Sequence, residues 1–294
     1  METLRSRVRA FLAEVSPAAE VRRLMEDERG YDLDVWLRLA ADHDLLALET
    51  WRERAVVLGE AGRALLCAPY LATVTAAPFV SPEVKEAVAG GLCIATVALA
   101  EPSGRWDDAG VQARALQAAD GRWRLEGEKS YVVDGCAADV LVVAARAGAG
   151  VALFEVDGDA PGLDRVPLAT VDQTRRLAHI RLAATPARPL DGSPAAALDL
   201  CAEMLLDLES ARAAAADAAG AAGTADLRSA AAVAKVCCSE AYVRIATDSL
   251  HVHGGLGFTW DHDAHLYLRR ARSSLHLFGD PRHHRDRLAR HIGL

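Results

Sequence analysis

The hydrophobic positions of the first 88 residues recur at the spacing of an α-helix. Leu4, Val8 and Phe11 fall on one helical face, and the segment Trp51–Cys67 has a similar pattern. Glycine and proline residues punctuate the segments between these runs. The pattern therefore predicts a helical N-terminal domain over residues 1–88.

Between residues 89 and 190 the period changes to that of β-strands. Short β-rich runs alternate with glycines and acidic residues, and Asp120-Gly121 between two of them is a signal for a tight hairpin turn. This pattern predicts a compact antiparallel β domain of Greek-key or barrel type. The predicted strands are Leu92–Ala100, Arg122–Glu126, Ser130–Val133, Val140–Ala145, Val151–Val156 and Leu177–Leu182.

Residues 191–294 return to helical spacing. An alanine- and leucine-rich run predicts a long helix over Ala195–Ala219, and a second helix over Ala230–Val252 ends at a pair of glycines. A third helix is predicted over Ala264–Ser274. We therefore expect an α+β protein with three domains, in the order helical, β and helical.

Composition and charge narrow the classes of function. The 294 residues carry a formal net charge of −8, and 51% of them are hydrophobic, which is typical of a globular chain. The 33 basic residues are outnumbered by 41 acidic ones and form no isolated basic block, so we expect no nucleic-acid partner. No apolar run is long enough to span a bilayer, and the N-terminus lacks the features of a signal peptide. We therefore expect a cytoplasmic chain without membrane contact.

The cysteines and histidines give no clear metal or disulfide pattern. Six cysteines without a CxxC pair predict reduced, mostly buried thiols in a chain of this length. Eight of the ten histidines lie at or after residue 251, with His262 and His265 three residues apart. Their spacing is irregular and no cysteine joins them, so we expect no metal site. The cysteines are Cys67, Cys93, Cys136, Cys201, Cys237 and Cys238.

The stretch 249–271, SLHVHGGLGFTWDHDAHLYLRRA, is the clearest candidate for a binding element. Gly254, Gly255 and Gly257 permit positive φ angles and a close approach of the backbone. Backbone N–H groups beside such a turn can hold a phosphate or pyrophosphate. The same residues fit a simple glycine cap between two helices, so the pattern alone leaves both interpretations open.

Several segments resemble the acyl-CoA dehydrogenase family in sequence and in order. They are the HGGLG turn, ALAEP at Ala98–Pro102, EGEKSYVVDG at Glu126–Gly135 and VDQTRRLA at Val171–Ala178. The chain is similar in particular to subunits of actinobacterial, heterotetrameric members of the steroid-side-chain type, as a short and divergent example. The resemblance implies an N-terminal helical domain, a central antiparallel β-barrel-like domain and a C-terminal helical bundle.

The resemblance also implies a reaction and a cofactor. Members of this family remove the α-proton of an acyl thioester with a glutamate and transfer the β-hydride to a bound FAD. Arg175 and Arg176 are candidates to meet a CoA phosphate or a partner carboxylate, or they form a surface-loop contact. The residues at the family's flavin-contact positions are Ala100, Tyr131, Val133, His251, Gly254 and Gly255.

The catalytic base departs from the family pattern. Where many members have a glutamate, within the segment Leu277–Pro281, this chain has Phe278, which cannot abstract a proton. A second family position lies on the first helix after the β domain and makes Glu209 the candidate catalytic residue. The downstream spacing also fits Glu209 as a structural residue of a later helix. Asp280 is a further candidate for the base.

These departures predict a chain that depends on a partner. Ala100 and Val133 replace the hydroxyls that often touch the flavin ring, and a segment that contacts the flavin pyrophosphate in family members has no counterpart. One hypothesis is a subunit of a flavin-dependent acyl-CoA dehydrogenase that works with a longer catalytic paralogue, or with a second copy, on an acyl-CoA substrate. The alternative is a catalytically inactive, flavin-free structural or regulatory subunit. The sequence leaves open whether the chain is itself an enzyme.

Overall fold

Six helices form the N-terminal part of the chain. The computed structural model describes residues 2–119, 121–148, 150–192, 227–252 and 254–292. The predicted helix Trp51–Cys67 ends at Arg63, because Leu65 adopts a left-handed conformation with φ of 51°. The helices are α1 (Glu2–Val15), α2 (Ala18–Glu26), α3 (Leu33–Ala41), α4 (Trp51–Arg63), α5 (Tyr70–Ala76) and α6 (Pro82–Ala89).

The strands that follow form one sheet that closes on itself. Five of them make a ring in the order β4, β2, β3, β7 and β5, with β5 pairing back to β4, while β1 lies along β4 and β6 along β7. The strands are β1 (Ala95–Ala98), β2 (Arg114–Gln117), β3 (Trp123–Val133), β4 (Val140–Ala147), β5 (Gly150–Asp157), β6 (Leu163–Leu168) and β7 (Leu177–Leu190).

The closed ring confirms the predicted barrel-like β domain, but the strand pairing is mixed. β1 and β4 run parallel, with Ala95 opposite Val140, and β2 also meets β4 in parallel at one residue pair. The other pairings are antiparallel. The predicted antiparallel pairing therefore holds except at the contacts of β1 and β2 with β4.

Two predicted strands are one strand in the structure. Arg122–Glu126 and Ser130–Val133 belong to β3, whose pairing with β7 is interrupted by register shifts around Gly127 and Tyr131. Tyr131 has a φ of 61°, as expected of a residue displaced from a regular ladder. The hairpin predicted at Asp120-Gly121 joins β2 to β3, and Gly121 has a φ of 81°, while Asp120 lies outside the described residues.

Helices return after the sheet. They are α7 (Leu227–Val252), α8 (Gly254–Gly257), α9 (Ala264–His276) and α10 (Pro281–Ile292), and both α9 and α10 pack against α7. The predicted helix Ala195–Ala219, including Glu209, lies outside the described residues. The glycine turn after α7 contains the single helical turn α8, so α7 ends where the glycine pair predicted it would.

The largest apolar core joins the barrel to the N-terminal helices. Leu125, Leu141 and Leu153 are fully buried inside it, and Phe278, from the segment between α9 and α10, belongs to the same cluster. The segment between α9 and α10 is thus inserted into the interior rather than lying on the surface. No helix in the described ranges is long and apolar enough to cross a bilayer.

Candidate functional site

Three of the predicted flavin contacts lie together where β1 meets β3. The backbone N–H of Ser130 donates to the carbonyl of Ala100 at 2.9 Å, and the Thr96 hydroxyl donates to the carbonyl of Val133 at 2.6 Å. Ala100 and Val133 are buried. Tyr131 occupies the bulge between them, and its side chain is 39% exposed. This corner therefore presents the Tyr131 ring beside two buried apolar side chains.

The corner offers few polar groups to a flavin ring. Neither Ala100 nor Val133 has a polar side chain, and the neighbouring Thr96 hydroxyl is already engaged with a backbone carbonyl. The nearby Glu101 carboxylate accepts from Lys129 Nζ at 2.8 Å and from the backbone of Gln112 and Ala113, so its charge is neutralised. These residues do not fit a flavin held by this chain alone.

The other predicted flavin contacts, His251, Gly254 and Gly255, lie at the far end of α7. The near end of that helix is anchored at Lys235, which contacts the end of α9. Sixteen residues of helix separate Lys235 from His251, which is about 24 Å along the axis. His251 and Gly255 are exposed. Within the described ranges, no hydrogen bond or ring contact joins these residues to the corner at Ala100 and Tyr131.

The family's usual place for the base is closed by aromatic packing. Phe278 is only 3% exposed and meets the Trp106 ring edge to face at 5.4 Å, with an interplanar angle of 74°. His284 Nε2 donates to the Phe278 carbonyl at 2.9 Å. Phe278 has a φ of 60°, so its neighbours hold it in a conformation that non-glycine residues rarely adopt. No proton acceptor can be presented from this position.

Lys235 contacts the residues that lead into the same segment. Its ammonium group donates to the carbonyls of Ser274 at 2.8 Å and Leu275 at 3.2 Å, at the end of α9. Lys235 is fully buried, and this burial lowers its pKa to about 7. Burial likewise lowers the pKa of His284 to about 3. Both groups act as hydrogen-bond donors to backbone carbonyls at the ends of this segment.

A polar clamp connects the barrel to both helical regions. Asp172 accepts from Arg270 Nε at 2.8 Å and from the backbone of Thr174, and both charged groups are buried. Arg175 donates to the Ser274 hydroxyl at 3.2 Å. Arg176 donates to the carbonyls of α2 and the residues after it, at 2.9 Å for Met25 and 2.6 Å for Asp27.

These contacts favour the interpretation of Arg175 and Arg176 as loop contacts over that of phosphate ligands. Sequence reasoning missed the Asp172–Arg270 pair, since 98 residues separate its members. We use the name inner junction for the buried residues Asp172, Lys235, Arg270, Phe278 and His284.

Asp134 is a titratable group that the sequence analysis did not single out. It lines a cavity of about 40 Å³ together with Leu71, Tyr242 and Arg270. Burial raises the pKa of Asp134 to about 7, although Arg175 and Arg270 act in the opposite direction. The cavity has room for one or two water molecules and none for an acyl thioester. The Asp134-Gly135 pair suggests only a turn in the sequence, so nothing there signals this environment.

An exposed apolar surface follows the glycine pair. Leu256, Phe258 and Trp260 are 59%, 65% and 58% exposed. The Arg269 guanidinium lies 4.5 Å from the centre of the Trp260 ring, and His265 meets the same ring edge to face. We use the name outer turn for residues 254–260. The sequence signal for this surface is the alternation of large apolar residues in GLGFTW.

The remaining candidates are Glu209, Asp280 and the histidines and cysteines. Glu209 lies outside the described residues. Asp280 accepts from the backbone N–H of His283 at 2.8 Å, as a cap at the start of α10. The structure brings no three His, Cys, Asp or Glu side chains of the described residues into a metal-binding group. Of the cysteines in the described ranges, Cys67, Cys93 and Cys238 are buried, and Cys136 and Cys237 are exposed.

Solved structures with this fold include acyl-CoA dehydrogenases. A variant of the Tcur3481-Tcur3483 steroid ACAD matches with a TM-score of 0.86 and 24% identity, over 99% of this chain and 97% of that one. The ChsE4-ChsE5 complex from Mycobacterium tuberculosis matches with a TM-score of 0.83 and 22% identity, over 99% and 96% of the two chains. The fold is therefore that of an acyl-CoA dehydrogenase.

Sequence comparisons give the same family. Residues 169–293 match the model of the acyl-CoA dehydrogenase C-terminal domain. Acyl-CoA dehydrogenase IpdE2 of Mycobacterium tuberculosis is 28% identical over 331 residues, covering 96% of this chain and 93% of the relative. Acyl-CoA dehydrogenase FadE34 of the same organism is 34% identical over 266 residues, covering 73% of this chain and 34% of the relative. The chain belongs to the acyl-CoA dehydrogenase family, which confirms the resemblance in its sequence.

Proposed function

We propose that the chain is a subunit of a flavin-dependent acyl-CoA dehydrogenase and works as the degenerate partner of a longer catalytic paralogue. The observation that carries this proposal is the buried Phe278 at the family's place for the base, packed against Trp106. A chain built this way supplies no base from that segment. The α,β-dehydrogenation of an acyl thioester would then depend on groups from the partner.

The surface of the chain supports a shared site. Tyr131 offers an exposed aromatic ring, and the outer turn offers backbone and apolar side chains that the described residues leave uncovered. The ChsE4-ChsE5 structure is a complex of two named components, which supports a paralogue as the partner. FAD is the proposed cofactor, held mainly by that partner, and the proposed location is the cytoplasm.

Absorption spectra test the proposal directly. The chain is purified alone and after co-expression with a paralogue encoded beside its gene, and the visible flavin band is measured in both samples. We expect the band, together with acyl-CoA dehydrogenase activity, only in the co-purified complex. A flavin band in the lone chain would contradict the shared site. Its absence from both samples would contradict a flavoenzyme.

Tyr131 gives a residue-level test in the complex. Tyr131→Ser removes the exposed ring, and we expect it to lower the flavin content of the purified complex. Tyr131→Phe keeps the ring and serves as the matched control, which should retain the flavin. If both variants bind flavin like the parent complex, Tyr131 is not a flavin contact.

Glu209 remains the proposed base if this chain supplies one. Glu209→Gln removes the carboxylate while preserving its shape and hydrogen-bonding capacity. Activity of the complex that falls by two orders of magnitude or more would support the assignment. Unchanged activity would remove Glu209 as the base and leave proton abstraction to the partner.

The second candidate is a catalytically inactive, flavin-free structural or regulatory subunit. The apolar side chains of Ala100 and Val133 and the closed segment at Phe278 favour it. It predicts a complex without flavin in which removal of this chain changes the stability or abundance of the paralogue but not its turnover.

A further inference from the structure

Three polar side chains on the strands β3 and β7 form a hydrogen-bonded chain. The Ser130 hydroxyl oxygen lies 2.7 Å from Nδ1 of His179, and Nε2 of His179 lies 3.2 Å from a carboxylate oxygen of Glu128. A serine, a histidine and a carboxylate in this order are the components of an activated serine nucleophile. We use the name strand triad for these three residues.

The bulge in β3 explains how the strand triad is assembled. The register of β3 against β7 shifts by one residue here, so Ser130 and Tyr131 lie opposite His179 alone. The side chain of Lys129 turns into the barrel and is fully buried. Because neighbouring side chains of a strand point to opposite faces, Glu128 and Ser130 both lie on the other face of β3, where His179 contacts them.

The hydrogen-bonding capacity of the three groups fixes the direction of the chain. A carboxylate only accepts, so Glu128 holds the ring proton of a neutral His179 on Nε2. Nδ1 then carries the lone pair that accepts from the Ser130 hydroxyl. In many serine hydrolases the two ring nitrogens have the opposite roles. Proton abstraction needs only an acceptor on the side of the hydroxyl and a donor on the side of the carboxylate, and His179 provides both.

The surroundings of Ser130 also suit a nucleophile. Ser130 is only 6% exposed, whereas the side chain of Glu128 is 50% exposed, so the carboxylate orients the imidazole from the solvent side. The Ser130 backbone is fixed by its N–H, which donates to the carbonyl of Ala100 at 2.9 Å. Tyr131 comes next with a φ of 61° and an exposed ring, which provides an aromatic surface for an acyl group.

We propose that Ser130 is the nucleophile of a second activity, the hydrolysis of activated acyl esters or thioesters. His179 takes the hydroxyl proton while the Ser130 oxygen bonds to the acyl carbon, and it gives that proton to the alcohol or thiol that leaves. Water then attacks the acyl-serine with His179 again as the base, which releases the carboxylic acid and restores the serine. Glu128 is a positioning residue, and the backbone N–H of Tyr131 is the proposed donor to the oxyanion. No oxidant or reductant takes part, so this activity does not rest on the proposed function.

The isolated full chain tests the proposal with two probes, p-nitrophenyl acetate and diisopropyl fluorophosphate, which phosphorylates activated serines. We expect turnover of the ester above the rate in buffer, and one phosphoryl adduct that peptide mass spectrometry places on Ser130. Ser130→Ala should abolish both results, and Ser103→Ala, which changes an exposed serine, should retain both. His179→Gln should lower turnover about a hundredfold or more, and His276→Gln, which changes an exposed histidine, should not.

Glu128→Gln separates positioning from a structural role. The amide can donate to the ring and so favours the wrong tautomer, and we expect kcat to fall about tenfold or more with KM unchanged. Glu126→Gln changes an exposed carboxylate on the same face of β3 and should retain the parental kcat. A Glu128→Gln variant with the parental kcat would overturn the role of Glu128.

The position of the adduct in the parent chain decides the matter even where a variant fails to fold. An adduct on Ser130 together with turnover supports the proposal. An adduct on another residue, no adduct at all, or equal turnover by the parent and Ser130→Ala overturns it. An adduct on Ser130 without turnover also overturns it, because the acyl-serine is then not hydrolysed. These readouts involve neither flavin nor the paralogue, so the proposed function and this second activity can fail separately.

Discussion

The inner junction and the outer turn are two parts of one helical region with opposite designs. In the inner junction, Asp172 and Arg270 pair with each other, Lys235 donates to two carbonyls, and His284 donates to a third. In the outer turn, large apolar side chains point into solvent, and the half-buried Arg269 stacks on the Trp260 ring.

The two regions preserve different features of the family fold. The inner junction is built as a core, with an aromatic side chain where many relatives present a base. The outer turn keeps an exposed apolar surface, and this exposure does not stabilise the isolated chain. The proposed function predicts that the inner junction stabilises the fold and that the outer turn contacts a partner, and four comparisons test this contrast.

The largest effect is expected at the buried ion pair. Asp172→Asn removes the carboxylate that pairs with the buried Arg270 guanidinium, and we expect a loss of about 3–5 kcal/mol in the free energy of unfolding. Denaturant unfolding of the isolated chain measures it. The control is Asp164→Asn, which breaks the exposed pair with Arg181 and should change stability by less than about 1 kcal/mol. Similar losses in both variants would show that the buried pair in the inner junction stabilises the fold no more than an exposed ion pair does.

The same substitution, phenylalanine to alanine, can be made in both regions and compared directly. Phe278→Ala empties a buried position beside Trp106 and should lower the free energy of unfolding by about 3–4 kcal/mol. Phe258→Ala, in the outer turn, removes an exposed ring and should change it by less than about 0.5 kcal/mol. Thermal unfolding of both variants gives the comparison. A stable Phe278→Ala variant would mean that the segment after α9 is not fixed in the core.

Sequence patterns predicted the elements whose burial can be read from the spacing of residues within one segment. The limits predicted for α7 and α9 lie close to the observed ones, and the apolar spacing of Leu4, Val8 and Phe11 falls within the helix α1. The strands β2 and β6 were missed because they are short and largely exposed, and their pairing depends on the longer β3 and β7. The position of β2 follows from the closure of the barrel and that of β6 from its pairing along β7, and no single segment encodes either.

The site was less predictable for the same reason. Lys235, in an alanine-rich helix, has the appearance of a solvated charge, yet its partners are carbonyls about 40 residues later in the chain. Phe278 was recognised as an unsuitable base from its position, but its contact with Trp106 needed the structure. Long-range partners of buried polar groups are set by packing, so local spacing carries little information about them.

A pH-dependent effect of intermediate size is expected at His284. Its pKa is lowered to about 3 in the folded chain, compared with about 6.5 when unfolded, so the unfolded state binds the proton more readily between these values. Stability contributed by the neutral ring is present above pH 6.5 and is lost as the pH falls towards 3. At pH 4 we expect a loss of about 2–3 kcal/mol from this group.

His284→Gln isolates the contribution, because glutamine can donate to the Phe278 carbonyl but does not titrate. The free energy of unfolding of this variant should fall less steeply between pH 6.5 and 4 than that of the parent chain. His276→Gln removes an exposed histidine as the control and should keep the parental slope. Equal slopes in all three proteins would show that His284 can be protonated without disturbing the inner junction.

The smallest effect on the isolated chain is expected in the outer turn. Trp260→Ser removes an exposed ring and its stacking with Arg269, so the free energy of unfolding should change by less than about 1 kcal/mol. Association should respond strongly instead, since exposed tryptophans often dominate interfaces. We expect at least tenfold weaker binding to the co-expressed paralogue or to a second copy, measured by sedimentation. Leu116→Ser, on the exposed part of β2, is the control for loss of surface apolarity and should leave association unchanged. If Trp260→Ser destabilises the lone chain as much as Phe278→Ala does, or leaves association intact, the outer turn is part of the fold rather than a surface kept for a partner.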